Sequence, residues 1–397
     1  MIGRSIKIVI AGMLLAASAS VDARIWTNAL GRTFEAEFVR MDGVNVIFTM
    51  PNGRAFSTPL VELSAADQAV LRTGKAPQPA AMAAASMAVA APSTFHRPWP
   101  REIRLDGPVA CKVVSEDAKA RRYIYESPGY RFTCDARVTD DALRNFSVMF
   151  EATRKYAQNL PLSLGGGGRE RQGKLDILLF GSMDQYVKAG GPPSSAGCYS
   201  RGVVLVPMTS LGLKEGGTGF SLDTSQRNNV LIHELAHQLT PDVYMATGAS
   251  GWFSEGLAEY LAITPYNWGY YQPDVHGNSV KTYVTGRSGL AGMGGRVLGE
   301  NIKAPRLKDF MLMPYSKFSG PNANFNYGVG LLLTHYFFHM EGGGKAARIT
   351  QFLKGLQAGH QGEAALAPLL GGSTFEKLEG EIAAAWARQG VQIKFGG

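Results

Sequence analysis

Apolar and polar residues alternate with a period of two over residues 25–26, 33–39, 44–49 and 55–58, which predicts four short strands. Turn residues separate them, Asn28 and Gly31, then Asp42-Gly43, then Asn52-Gly53. Strands this short in so small a unit predict an all-β barrel over 24–74. From 75 to 93 the chain becomes rich in Ala, Pro and Met, with no charge after Lys75, and reads as a linker.

Over residues 94–397 the period changes from element to element. Tyr123-Ile124-Tyr125 and Tyr130-Arg131-Phe132 predict strands about a turn at Ser127-Pro128-Gly129. An amphipathic pattern predicts a helix over 140–160, and apolar runs predict strands over 175–180 and 202–208. A helix is expected over 228–240. Residues 265–299, rich in Gly, Tyr and Asn, predict loops roofing a cleft. Helical periodicity returns over 304–313, 326–340, 345–357 and 374–389. The expected protein is therefore multidomain, a small β barrel followed by an α+β domain with a helical C-terminal lobe.

Composition narrows the classes. A chain of 397 residues with 45% hydrophobic and 18% charged residues has enough apolar content for real cores. Its net charge of +8 is spread thinly without basic blocks, so no nucleic-acid partner is expected. Residues 1–23 read as a signal peptide: Arg4 and Lys7, then an apolar run over 8–17, then small residues. That run is short for a bilayer span. A secreted or periplasmic location follows, and Cys111, Cys134 and Cys198 would then meet an oxidising compartment. Cys111 and Cys134 flank the predicted hairpin, so a bridge between them is one expectation; three free buried thiols is the other.

Candidate chemistry centres on His233-Glu234-Leu235-Ala236-His237. On a helix, His233 and His237 share one face, where two imidazoles can hold one Zn²⁺ with Glu234 directed at a water. Apolar Leu231, Ile232, Leu235 and Ala236 surround these groups. Burying unpaired polar groups costs roughly 2 kcal/mol or more each, a penalty that a metal would remove. A catalytic zinc needs a third protein ligand. Glu255 is the best candidate, because residues 238–254 leave room for a turn at Thr240-Pro241-Asp242 and a second helix packed back on the first. Glu259, one turn further along, is either the carboxylate that receives a ligand imidazole's second N–H or an ordinary solvated charge.

With WFSEGLAEY at 252–260, this pair of motifs resembles the gluzincin metallopeptidases. The stretch looks like the WxxEGxAxY signature of the peptidase MA-like families and is similar to the NEGFA motif of zinc aminopeptidases. The resemblance implies a zincin-like catalytic domain over 94–397, a His233, His237 and Glu255 zinc site, Glu234 as general base, and a peptide or protein substrate. It also implies a substrate-binding sheet edge, for which 203–207 is the candidate, with an interior strand as the alternative. Gluzincins commonly add a Tyr or His oxyanion donor from the segment after the metal site. Tyr327, in Phe325-Asn326-Tyr327-Gly328, is the preferred candidate, and His276 the second. His335 and His339 also stand four apart but lack an adjacent acid, and read as packing residues. The chain has no GxMEN-type motif for recognising a substrate amine.

Residues 24–74 resemble the Sla homology domain, an SH3-like module, through Arg24, Trp26, Gly31-Arg32-Thr33-Phe34-Glu35-Ala36, Phe38, Gly53-Arg54, Pro59-Leu60, Leu63-Ser64 and Asp67-Gln68. The resemblance implies an interaction module with a protein or cell-envelope ligand. Trp26 and Phe34 would either line a groove or form the core. Two readings of other classes stand beside the peptidase: a metal-binding domain without turnover, and a surface-binding protein led by this module.

Overall fold

The computed structural model describes residues 24–27, 33–42, 45–49, 55–64, 67–68, 70–71, 93–168, 170–193, 195–200, 202–217, 219–222, 229–286 and 295–396. The predicted signal peptide, and the predicted linker apart from Ser93, lie outside them. The chain forms two compact units, Met1–Met87 and Ala88–Gly397.

In the first unit, β1 (Arg24–Thr27), β2 (Thr33–Asp42), β3 (Asn45–Thr49) and β4 (Ala55–Pro59) pair antiparallel in sequence order. Their alternation turns Trp26, Ala36, Val46 and Phe48 onto one core with Leu63. Trp26 is 1% exposed and its indole N–H donates to the Ala36 carbonyl at 2.8 Å, so it is core and lines no groove. Phe34 packs edge-on against Phe48. The Asp67 carboxylate accepts from the Thr27 N–H at 2.7 Å and from the Ser64 hydroxyl at 3.1 Å, tying the tail of the unit to its first strand.

The second unit is built on a mixed sheet. Its strands are β5 (Lys112–Asp117), β6 (Arg122–Glu126), β7 (Tyr130–Cys134), β8 (Lys174–Phe180), β9 (Cys198–Ser200) and β10 (Val203–Pro207), in the spatial order β9-β10-β8-β7-β6-β5. A two-residue strand, Glu170–Arg171, also pairs with β8. β8 runs parallel to both β7 and β10, and parallel neighbours need a crossover. Between β7 and β8 that crossover contains α1 (Asp140–Asn159), which buries Leu143, Phe146, Phe150, Tyr156 and Ala157 at helical spacing.

Two expectations fail here. β10 is an interior strand in the sheet order, because β9 pairs with its outer side over Val203–Leu205, so that part of 203–207 offers no free edge. Cys111 and Cys134 are not bridged. Cys111 precedes β5 at the Glu126 end of the hairpin, whereas Cys134 faces Tyr123 at the opposite end with β6 intervening. The Cys111 thiol lies 3.0 Å from the Ser147 hydroxyl instead.

The other longer helices are α2 (Asn229–Leu239), α3 (Trp252–Ile263), α4 (His276–Thr285), α5 (Ala323–His335), α6 (Ala347–Gln357), α7 (Gly362–Leu370) and α8 (Phe375–Ala387). A π turn over Tyr336–Met340 extends α5. α4 falls inside the stretch expected to be loops, and α7 was not expected. The helix expected over 304–313 is confined to Leu307–Met311, and Asn301–Ala304 is instead a strand parallel to Gln392–Phe395. Among the described residues no helix is long and apolar enough to cross a membrane.

Candidate metal centre

α2 buries Leu231, Ile232, Leu235, Ala236 and Leu239, which leaves His233, Glu234 and His237 on its other side. The Gln238 amide donates to the Asp176 carbonyl at 2.9 Å and fixes the helix against β8. The helix stops at Thr240, whose hydroxyl donates to the Ala236 carbonyl at 2.6 Å, followed by Pro241, which has no N–H to continue the ladder. The chain then returns through Gly251 at φ +86°, a left-handed conformation beside which a Cβ would sit 2.8 Å from the Phe318 ring.

α3 begins at the next residue and all twelve of its residues are buried, including Glu255 and Glu259. This is possible because Gly256 lets α5 approach. A Cβ on Gly256 would lie 2.5 Å from the Gly330 carbonyl oxygen, and one on Gly330 would lie 2.9 Å from that of Trp252.

The two helices bring the predicted ligands together. His233 Nε2 is 3.1 Å from Glu255 Oε2 and 3.2 Å from His237 Nε2, and His237 Nε2 is 3.4 Å from the same Glu255 oxygen. One ligand atom from each of His233, His237 and Glu255 lies within 4.8 Å of the others. Glu259 takes the expected outer position. Its Oε1 is 2.9 Å from His233 Nδ1, so the Nδ1–H is used there and Nε2 faces the cluster. It is 2% exposed, which excludes the solvated-charge alternative.

Charge at the cluster favours a cation. Burial disfavours the charged imidazole of His233, but hydrogen bonds to Glu255 and Glu259 outweigh it and hold its pKa well above the usual histidine value. Burial would raise Glu255, yet His237 and His233 hold its carboxyl far below the usual range. Glu259 is likewise held down to about 2, against burial, by His233 and Arg296. The donors that converge are Glu255 and the two imidazoles, with Glu259 on the far side of His233, and a divalent ion would replace the proton that these carboxylates hold on His233.

The surrounding residues come from α2 itself and from three other places. Glu234 lies beside the entry to β9, its Cγ 3.3 Å from where a Cβ on Gly197 would stand. Tyr199 stacks on the His237 ring with centroids 6.4 Å apart and donates its phenol to the Gly167 carbonyl. Tyr315 donates to Glu255 Oε1 at 2.8 Å. The Tyr327 ring lies nearly parallel to His233, with centroids 6.0 Å apart. Burial first, then Glu255, pushes both phenols far above the usual tyrosine range, so both keep their protons.

His276 is elsewhere. It begins α4, is 1% exposed, and has its Nε2 at 2.9 Å from the Tyr260 carbonyl and its Nδ1 at 3.4 Å from His335 Nδ1. With both nitrogens engaged in a packed cluster, it is not placed to serve as an oxyanion donor. His335 and His339 belong to the same cluster, His339 Nε2 lying 2.8 Å from the Tyr260 phenol, and are packing residues as expected.

Comparison of the sequence with known protein families and with curated proteins returned no match. Tyr199, Tyr315 and Arg296 were not singled out from the sequence. The one usable signal was indirect: a buried Glu259 calls for a cation, but nothing in the pattern selects one among 40 Lys and Arg residues.

Proposed function

We propose that the chain is an exported zinc-dependent peptidase of gluzincin type, with a zincin-like catalytic body and an N-terminal SH3-like module of the Sla homology kind. The observation that carries this reading is the convergence of His233 Nε2, His237 Nε2 and Glu255 Oε2, with Glu234 adjacent to a ligand on the same helix. Two imidazoles and one carboxylate suit Zn²⁺ and leave a position open to water. When bound, Zn²⁺ would polarise a peptide carbonyl and lower the pKa of water to about 7. Glu234 takes the proton of the attacking water and delivers it to the leaving amine nitrogen. Tyr327, still protonated beside His233, donates to the carbonyl oxygen as negative charge develops on it. Glu259 holds His233 so that Nδ1 carries the hydrogen and Nε2 remains free. The predicted leader is the ground for export, and the module would engage a protein or cell-envelope ligand.

Elemental analysis and peptide-library cleavage by the mature chain, with and without chelator, test the reading. One zinc per chain and chelator-sensitive cleavage are expected. Glu234→Gln should keep the zinc and lose hydrolysis, because an amide cannot accept the proton of water. Full activity in that variant, or activity indifferent to chelator, would sink the mechanism.

A further inference from the structure

Arg296 lies outside every motif, in a segment that follows α4, yet it is the residue most closely engaged with the far side of the metal centre. Its Nε and Nη2 donate to the two oxygens of Glu259 at 2.9 and 2.6 Å. Oε1 of that carboxylate also faces His233 Nδ1 at 2.9 Å. The guanidinium carbon stands 4.9 Å from the centroid of the Tyr327 ring, whose plane is within 13° of that of His233. Arg296 thus reaches His233 by two routes, one through a carboxylate and one through an aromatic ring.

The arginine is itself held. Its N–H donates to the Tyr283 carbonyl at 2.8 Å, and the next residue but one, Leu298, donates to the Val284 carbonyl at 2.7 Å. Asn324 closes the other side: its amide donates to the Arg296 carbonyl at 2.8 Å, and its own oxygen accepts from Nη1 at 3.3 Å. A two-pronged contact from an anchored guanidinium fixes the plane of a carboxylate, which a single donor or a lysine ammonium does not. The Glu259 side chain is 2% exposed and the Arg296 side chain 21%. Buried ion pairs contribute little net stability to a fold, so their position is the informative feature, and this one ends on the second nitrogen of a predicted ligand.

We propose that Arg296 is a positioning residue of the metal centre: by clamping both oxygens of Glu259 and backing Tyr327, it fixes the His233 ring with Nε2 directed at the ion. The inference rests on the metal-site reading above. Without the clamp, Glu259 loses its fixed plane, and His233 must be ordered when the ion binds.

The test uses the full mature chain, Zn²⁺ affinity by chelator competition, and the visible spectrum of the Co²⁺-substituted protein. Arg296→Ala is expected to bind Zn²⁺ about 10- to 100-fold more weakly, with an altered Co²⁺ spectrum. Arg296→Lys should recover only part of the affinity. Because the effect runs largely through Glu259, adding Arg296→Ala to Glu259→Gln should weaken binding much less than it does in the parent. Parental Zn²⁺ affinity and an unchanged Co²⁺ spectrum in Arg296→Ala overturn the proposal. If that variant does not fold, parental affinity and spectrum in Arg296→Lys overturn it equally, since the charge is kept and the two-pronged contact is lost. A parent chain that binds no Zn²⁺ is a different result, which removes the metal-site reading itself.

Discussion

Glu255 and Glu259 stand one helical turn apart and touch the two nitrogens of the same imidazole, which gives their substitutions different outcomes. Glu255→Ala removes a direct donor from a cluster of three and should abolish stoichiometric zinc. Glu259→Ala leaves the three donors in place and should weaken zinc by about 10- to 100-fold, because only the orientation of His233 is lost. Elemental analysis after dialysis against a weak chelator separates the two, and the reverse pattern would exchange their roles. The phenols divide similarly. Tyr327→Phe should keep zinc and the native melting temperature while turnover falls on the order of 100-fold. Tyr315 donates to Glu255, so it is the control: a large loss in Tyr315→Phe with none in Tyr327→Phe would reassign the oxyanion donor.

Between elements, the contact of α3 with α5 matters most, since α3 carries both carboxylates and α5 carries Tyr327. Gly256 and Gly330 bring these backbones so close that a single methyl group has no room. A Cβ on Gly256 would lie 2.3 Å from the Thr334 hydroxyl and 2.5 Å from the Gly330 oxygen. Backbone cannot swing aside as a flexible side chain can, so Gly256→Ala must push the helices apart. Overpacking of this kind costs typically 1–3 kcal/mol. The expected result is a melting temperature lower by several degrees in the metal-free protein, together with weaker zinc binding, as Glu255 moves with its helix. An unchanged melting temperature would show that the two helices separate freely.

At the scale of the second unit, α3, α4, α5 and its π turn meet around His276, His335 and His339. Burial lowers all three imidazoles, His276 to about 3, His339 to about 4, and His335 well below the ordinary value, with neighbouring histidines adding to the effect for His276 and His335. The folded state therefore keeps them neutral in the interval where the unfolded chain takes up protons. Stability rises with pH wherever the unfolded state binds more protons. Their contribution is thus complete above about pH 6.5, the usual histidine pKa, and is lost progressively as pH falls, through about 4 for His339 and about 3 for His276. Thermal melts of metal-free protein should show this decline, and His339→Gln should make it shallower over the same interval. A slope equal to the parent's would mean that His339 does not stay neutral in the folded chain.

The elements that sequence alone determined are those whose signal is local. The short strands of the first unit, α1 and α2 follow from periodicity, because one buried face forces apolar residues into register with the backbone, and β8 from a short apolar run. The candidate ligands and their neighbour were legible for a local reason too: His233 and His237 stand four apart on one helix, and Glu255 and Glu259 four apart on the next, so helical geometry aligns each pair without help from the rest of the chain. α4 was missed because His276-Gly277-Asn278-Ser279 begins with poor helix formers that packing overrides. Only the tertiary structure decided that β10 is interior, since an apolar run reads alike at the centre and at the edge of a sheet until β9 is seen beside it. It also decided the outer side of the site. Arg296 meets Glu259, and Tyr315 meets Glu255, at separations of 37 and 60 positions along the chain. No periodicity relates such partners, because what selects them is the demand of a buried carboxylate for donors, and that demand is met by whichever segments the core packs against it.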